Sequence, residues 1–152
     1  MQRLIRTYQS FDDAQEKIEV YVRSELSIKR FATAINCMDG RVQIPVIDYL
    51  KTRYDVEYVD AVTEPGPIRA LWQNSDSAMV ESIKKRVEIS VFKHHSQFIA
   101  VVGHHDCAGN PVNKDTQVNQ IQTSVKTVAS WKLEAQIIGL WVDENWEVSE
   151  VC

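Results

Sequence analysis

The 152-residue sequence lacks any apolar run long enough to cross a bilayer, and it has no excess of basic residues. Its longest apolar stretches, such as FIAVVG, fall far short of the roughly 20 residues that a membrane helix needs. The N-terminus MQRLIRTYQSFDDAQ lacks the apolar centre of a signal peptide. A formal net charge of −4 with scattered lysines and arginines argues against binding to nucleic acid. We therefore expect a cytoplasmic protein with neither a membrane nor a nucleic acid as partner.

Cysteine is also scarce, with three residues, an odd number that does not suit a disulfide framework. The chain is 44% hydrophobic and 25% charged, and its length allows a core without disulfide or metal crosslinks. The sequence therefore predicts one domain over residues 1–152. In a reducing compartment its thiols stay free for metal binding or catalysis.

Helical and strand patterns alternate along the chain. Residues 11–30 have apolar positions every three or four residues, which predicts one amphipathic helix or two short ones. RFATAINC predicts a strand that ends at Cys37, and Pro45 predicts the first turn of a helix. The apolar face of that helix is predicted at Val46, Ile47 and Leu50. VEYVDAV predicts a second strand, which TEPGP stops.

The second half continues this alternation. Helical patterns cover residues 75–95 and 117–135, and QFIAVVG between them predicts a strand covered on both faces and ending at His104. QIIGLWVDENWEVSEVC predicts a hairpin about DEN. The apolar positions of the two helices are Met79, Ile83, Val87 and Val91, then Val118, Ile121, Val125 and Val128. Together these patterns predict an α/β fold, a mostly parallel β-sheet flanked by helices with an antiparallel C-terminal edge strand.

Metal-binding residue types follow two of the predicted strands, in CMDGR (residues 37–41) and GHHDC (residues 103–107). A lone strand-end cysteine is more often a small buried apolar residue. However, the carboxyl ends of parallel strands meet at one edge, so Cys37, His104 and Cys107 can converge. Two thiolates and one imidazole leave one position of a tetrahedron open, as in catalytic zinc sites. The sequence therefore predicts a Zn²⁺ site at this edge.

Asp39 and Arg41 follow Cys37 closely enough to act at the open position. A bidentate pair with Arg41 would keep the Asp39 carboxylate ionised and off the metal. Without a metal nearby, the same pair would be an ordinary surface ion pair. His105 is a less favoured alternative ligand, because adjacent residues rarely share one ion. We expect His105 and Asp106 to point elsewhere.

C-x-D-x-R after a first strand and H-x-x-C after a later strand closely resemble the motifs of the β-class carbonic anhydrases. The resemblance extends over most of the chain. It implies that Cys37, His104 and Cys107 bind zinc, and that Asp39 and Arg41 gate the fourth position. The implied reaction is the reversible hydration of carbon dioxide to bicarbonate by zinc-bound hydroxide, since zinc lowers the pKa of bound water to about 7. It also implies a homodimer or a higher homo-oligomer.

The sequence departs from the family pattern around the expected pocket. VTEPGPI replaces the usual Asn-Ala-Gly turn, Glu64 stands where a small neutral residue is usual, and Gly66 is the one plausible match. After Cys107 the usual glycine is Ala108, and Gly109 follows. Two alternatives stay open: hydrolysis of carbon disulfide or carbonyl sulfide at the same site, and a noncatalytic zinc-binding relative. Retention of the Asp39–Arg41 pair favours an enzyme, because structural zinc needs neither residue.

Overall fold

The computed structural model of this chain describes residue 15 and residues 30–74 and 77–152. The amphipathic segment predicted over residues 11–30 therefore lies almost entirely outside the described part. None of the described helices is both long and apolar enough to span a membrane. In chain order, the described elements are β1 (Phe31–Cys37), α1 (Gly40–Tyr54), β2 (Tyr58–Glu64), α2 (Pro67–Gln73), α3 (Ser77–His94), β3 (Phe98–His104), α4 (Lys114–Ala129), β4 (Gln136–Val142) and β5 (Val148–Glu150).

The strands form one sheet in the order β2-β1-β3-β4-β5. β1 is parallel to both β2 and β3, and β3 is parallel to β4. β4 and β5 are antiparallel, with Leu140 opposite Glu150, and they form the predicted C-terminal hairpin. The predicted fold class, a mostly parallel sheet flanked by helices with an antiparallel C-terminal edge strand, is confirmed.

Helices cover both faces of the sheet, as the apolar runs of the central strands require. Residues 32–37 of β1 and 99–104 of β3 are all buried. On one face, α1 packs Val42, Val46 and Leu50 into the core. The other face is covered by α2, α3 and α4, and its buried side chains include Ile35, Ile68, Leu71, Ile83, Val87, Ile99 and Ile121. Each large apolar side chain buried in this way contributes about 1.5–3 kcal/mol to folding.

The prediction for the start of α1 was wrong, because the helix begins at Gly40 and Pro45 lies inside it. The Asp39 side chain caps the helix by accepting the Arg41 backbone N–H at 3.0 Å. The buried stripe, which is Val42, Val46 and Leu50, extends on both sides of Pro45, whereas Ile47 is only partly buried. Packing against the sheet therefore carries the helix through a residue that supplies no backbone donor.

Two other helices differ from the sequence patterns. α2 is not predicted at all, although Pro67 at its start has a φ angle suited to a first helical turn. α4 spans Lys114–Ala129 rather than residues 117–135. It starts earlier because the Asn113 side chain caps it by accepting the Thr116 N–H at 2.9 Å. Its buried face also differs, since it includes the polar residues Gln117, Gln120 and Ser124, while Val118 and Val125 are only partly buried.

Candidate metal centre

Two neighbouring parallel strands place the candidate metal ligands at one edge of the sheet. Cys37 is the last residue of β1, His104 is the last residue of β3, and Cys107 lies in the loop that follows β3. The Sγ atoms of the two cysteines are 3.9 Å apart. One ligand atom from each of the three residues lies within 4.8 Å of the others. The structure therefore brings together the three residues that the sequence pattern selects.

His104 is oriented by its backbone neighbours and leaves one ring nitrogen available. Its Nδ1 lies 2.7 Å from the His105 carbonyl oxygen, and because a carbonyl can only accept, Nδ1 carries the proton. Its Nε2 is buried and makes no hydrogen bond of acceptable geometry among the described residues. A buried nitrogen acceptor without a donor is costly. A metal ion at Nε2 would satisfy it.

The protonation of this cluster favours one negative charge and opposes a second. The hydrogen bond from the Cys107 thiol, with help from His104 and from backbone N–H groups, lowers the pKa of Cys37 despite its burial. The same bond and burial raise the pKa of Cys107. Burial opposes protonation of His104, but the nearby Cys37 thiolate and the His105 carbonyl outweigh it, so the pKa of His104 is raised. Cys107 can therefore ionise beside the Cys37 thiolate only if a cation replaces the protons on Cys107 and His104.

The donor set fits a zinc ion. Two thiolates and one imidazole are the soft and borderline ligands that Zn²⁺ prefers over the oxygen ligands of Mg²⁺ or Ca²⁺. The buried, unpartnered Nε2 of His104 and the close approach of the Cys37 and Cys107 sulfur atoms supply these donors at one place. A dication would also allow Cys107 to ionise beside Cys37.

Two glycines allow the loops after β2 and β3 to cross beside the cysteines. Gly66 has a left-handed φ of 59°, and a Cβ there would lie 2.6 Å from the Gly109 carbonyl carbon. A Cβ on Gly109 would in turn lie 2.5 Å from the Pro65 carbonyl carbon. This contact brings the Gly66 backbone to Cys37 and the Gly109 backbone to Cys107. Both backbone hydrogen bonds favour the thiolate form, although the bond to Cys37 and burial keep the pKa of Cys107 raised. The shift of glycine from position 108 to 109 therefore fits this crossing.

The Asp39–Arg41 pair predicted from the sequence is present in the structure. Arg41 Nη2 lies 2.6 Å from Asp39 Oδ2, and Arg41 Nε lies 3.0 Å from Asp39 Oδ1. The side-chain and backbone hydrogen bonds from Arg41 lower the pKa of Asp39 from 3.8 to about 2. The two acceptors Asp39 and Asp106 raise the pKa of Arg41. Asp39 is therefore a carboxylate throughout the neutral range and holds no proton there.

His105, the alternative ligand, and Asp106 lie outside the Cys/His/Cys group. His105 and Asp106 are exposed, as expected from the sequence, although their carbonyl oxygens accept hydrogen bonds from His104 and Arg41. Glu64, which lies opposite Cys37 in the β1–β2 register, pairs with Arg86 of α3. Arg86 also donates to the Thr63 carbonyl at 3.4 Å. The unusual acidic residue therefore has its own cationic partner.

Buried amides on α4 hold the ligand loop, and sequence reasoning missed them. The Gln117 side-chain oxygen accepts the His104 backbone N–H at 2.7 Å. The Gln120 side-chain oxygen accepts a hydrogen bond from the Asn110 side chain, also at 2.7 Å. Gln43 on α1 similarly donates to the Cys37 and Asp39 carbonyl oxygens at 2.7 and 2.8 Å. The one signal in the sequence is that Gln117 and Gln120 stand on the buried face of α4, where apolar residues are usual.

The comparisons with known proteins give one family and several solved structures. A family model described as "Putative carbonic anhydrase" matches residues 27–152. The β-carbonic anhydrase CafA of the fungal pathogen Aspergillus fumigatus is 11% identical, with a TM-score of 0.46 over 90% of this chain and 86% of that chain. A tetrameric β-carbonic anhydrase from the filamentous ascomycete Sordaria macrospora is 12% identical, with a TM-score of 0.45 over 90% of both chains. The β-carbonic anhydrase CcaA is 15% identical, with a TM-score of 0.48 and 91% coverage of both chains.

No curated protein sequence matches this chain at a significant level. The described residues define an α/β protein with a buried Cys/His/Cys group at the carboxyl ends of parallel strands. Because the family model covers most of the sequence, the chain belongs to the carbonic anhydrase family that this model describes.

Proposed function

We propose that this protein is a zinc-dependent carbonic anhydrase, which catalyses the reversible hydration of carbon dioxide to bicarbonate and a proton. The observation that carries the proposal is the approach of the two cysteine sulfur atoms and a ligand nitrogen of His104 to within 4.8 Å of one another. Cys37, His104 and Cys107 would hold the metal. Three protein ligands leave one position open to solvent or substrate, as in catalytic zinc sites.

Bound zinc would act as a Lewis acid and make a water molecule nucleophilic near neutral pH. The chain's own residues would orient the reaction. The ionised Asp39 carboxylate, with a pKa of about 2, can accept a hydrogen bond from the attacking water but cannot store its proton at neutral pH. Arg41 pairs with this carboxylate through Nε and Nη2 and would compete for it with a bound metal.

A cavity of about 480 Å³ borders Cys107 and would admit a small substrate. Its lining is mixed, with the apolar Pro111, Val112 and Trp141 beside the charged Asp106 and Lys114. Carbon dioxide, carbonyl sulfide and carbon disulfide are all linear and small enough for a cavity of this volume. The intact Asp39–Arg41 pair supports an enzyme over a noncatalytic zinc protein, because a structural metal site has no need of it.

Other features of the proposal come from the sequence alone. A single domain over residues 1–152, a homodimer or higher homo-oligomer, and a cytoplasmic location stay predictions.

The proposal is tested by stopped-flow measurement of carbon dioxide hydration with the zinc-loaded protein and with the same protein after chelation. We expect a zinc-dependent rate with kcat/KM in the range of about 10⁴–10⁸ M⁻¹ s⁻¹, as is usual for enzymes. Carbonyl sulfide and carbon disulfide hydrolysis are measured in parallel by sulfide release. One zinc per chain with no hydration above buffer at mildly alkaline pH would contradict the proposal. Sulfide release under those conditions would identify the alternative substrates.

A further inference from the structure

The Arg41 guanidinium group has three partners, and Asp39 is only one of them. One edge of its guanidinium group faces the Asp39 carboxylate through Nε and Nη2. Nη1 lies 3.2 Å from Asp106 Oδ2, and Nη2 lies 3.2 Å from the Asp106 carbonyl oxygen. Arg41 Cζ lies over the Trp146 ring, 4.9 Å from the ring centroid. The guanidinium group therefore contacts Asp106 and Trp146 in addition to Asp39.

The turn between β4 and β5 fixes the position of Trp146. Its backbone N–H donates to the Asp143 carbonyl at 3.1 Å, and the Asp143 side chain accepts the N–H groups of Asn145 and Glu147, each at 2.9 Å. Trp146 has a left-handed φ of 64° and packs its partly buried ring against the core that contains Cys37 and Cys107. This unusual backbone conformation directs a large aromatic ring to Arg41.

The Trp146 ring is the stronger of the two added contacts. The Asp106 side chain is 71% exposed, so its ion pair with Arg41 is screened by water and contributes little. Stacking on an aromatic face suits the planar, weakly hydrated guanidinium group of arginine. The Arg41 side chain is itself 44% exposed, whereas that of Asp39 is 19% exposed. Without the ring, a long and half-exposed arginine would hold this carboxylate less firmly.

We propose that Trp146 is a positioning residue that keeps Arg41 on Asp39, with Asp106 as a weaker second support, so that the Asp39 carboxylate stays off the metal. This inference rests on the proposed zinc site and on the proposed role of the Asp39–Arg41 pair. Its physical basis is a competition, since the carboxylate can pair with Arg41 or bind the metal but not both. Loss of the ring shifts that equilibrium toward the metal.

The test uses the full chain loaded with Co²⁺, whose visible absorption reports the occupant of the open position, and thiocyanate as the competing anion. We expect Trp146→Leu to weaken thiocyanate binding about five- to tenfold, the size of one partly desolvated cation–π contact. Trp146→Phe keeps an aromatic face and is expected to stay closer to the wild type. Trp72→Leu, at an exposed position on α2, is the matched control and is expected to leave the affinity unchanged.

A second pair of variants shows whether the effect acts through Asp39. The double variant Asp39→Ala/Trp146→Leu is expected to bind thiocyanate as tightly as Asp39→Ala alone, because no carboxylate then competes with thiocyanate for the metal. Wild-type affinity in Trp146→Leu, or an equal loss in both backgrounds, would overturn the inference. If Trp146→Leu does not fold, Trp146→Met takes its place, because methionine is also apolar but has no aromatic ring. Wild-type thiocyanate affinity in Trp146→Met would then overturn the inference.

The titration requires no turnover, so it separates the two proposals. The cobalt-loaded variants could show the expected thiocyanate affinities while the zinc-loaded wild type hydrates no carbon dioxide. This result would contradict the proposed function and support the role of Trp146. An active zinc enzyme whose cobalt form keeps wild-type thiocyanate affinity in Trp146→Leu would contradict the positioning role alone.

Discussion

Chains carrying His104→Ala are expected to lose stoichiometric zinc binding and all hydration activity above buffer. The substitution removes the one imidazole of the cluster and leaves two thiols whose joint ionisation is unfavourable. Replacing residues that only support metal ligands costs about 10–100-fold in metal affinity, and loss of a ligand should exceed this. Zinc content per chain, measured after dialysis against a weak chelator, checks the prediction. Cys37→Ser is expected to behave in the same way.

His105→Ala is the matched control for His104→Ala. Its side chain is exposed, and its carbonyl oxygen, which contacts His104 Nδ1, is kept in the variant. We expect it to bind one zinc per chain with nearly wild-type affinity. Loss of zinc in His105→Ala with retention in His104→Ala would show that His105, and not His104, is the zinc ligand.

Asp39→Ala is expected to keep zinc but to lose hydration activity by about 10²-fold or more, because the attacking water loses the group that orients it. The variant also removes the N-cap of α1, which costs about 0.5–2 kcal/mol of stability. Asp39→Asn separates the two effects, since asparagine caps a helix well but carries no charge. We expect Asp39→Asn to lose similar activity while its unfolding free energy stays closer to the wild type. Stopped-flow rates, zinc content and denaturant unfolding check all three expectations.

The pH of this comparison matters. Arg41 lowers the pKa of Asp39 from 3.8 to about 2, so the ion pair's contribution to stability is fully present above about pH 4. It is lost only as the pH falls toward 2. Measurements near neutral pH therefore compare a full carboxylate with a neutral amide, and Asp48→Asn on the exposed side of α1 is the control for the substitution itself. Full activity of Asp39→Asn would refute a role for the charge.

The sequence predicts the residues of the cluster because local patterns and one topological rule are sufficient. The apolar runs that end at Cys37 and His104 identify two strands, and parallel strands put their carboxyl ends at one edge. Asp39 and Arg41 are close to Cys37 in the chain, so their pairing needs little knowledge of the fold. The closing hairpin is equally local and is also predicted.

Features that depend on packing were not predictable in this way. α1 extends through Pro45 because buried side chains on both sides of the proline pack against the sheet. In the sequence the proline indicates a helix start, and nothing local shows that packing overrides this signal. The contact of Trp146 with Arg41 joins distant parts of the chain through the β4–β5 turn. Gln117 interrupts an apolar pattern, and only the structure shows that its oxygen accepts the His104 N–H.

The proposed zinc site consists of two sulfur atoms and one imidazole nitrogen of this chain. X-ray absorption at the zinc edge, measured on wild-type protein carrying one zinc per chain, identifies these ligand atoms. We expect two sulfur ligands at about 2.3 Å, together with nitrogen or oxygen ligands at about 2.0–2.1 Å that include one imidazole. A spectrum with no sulfur ligands, or one without the imidazole, would contradict the assignment of Cys37, His104 and Cys107 as the metal site.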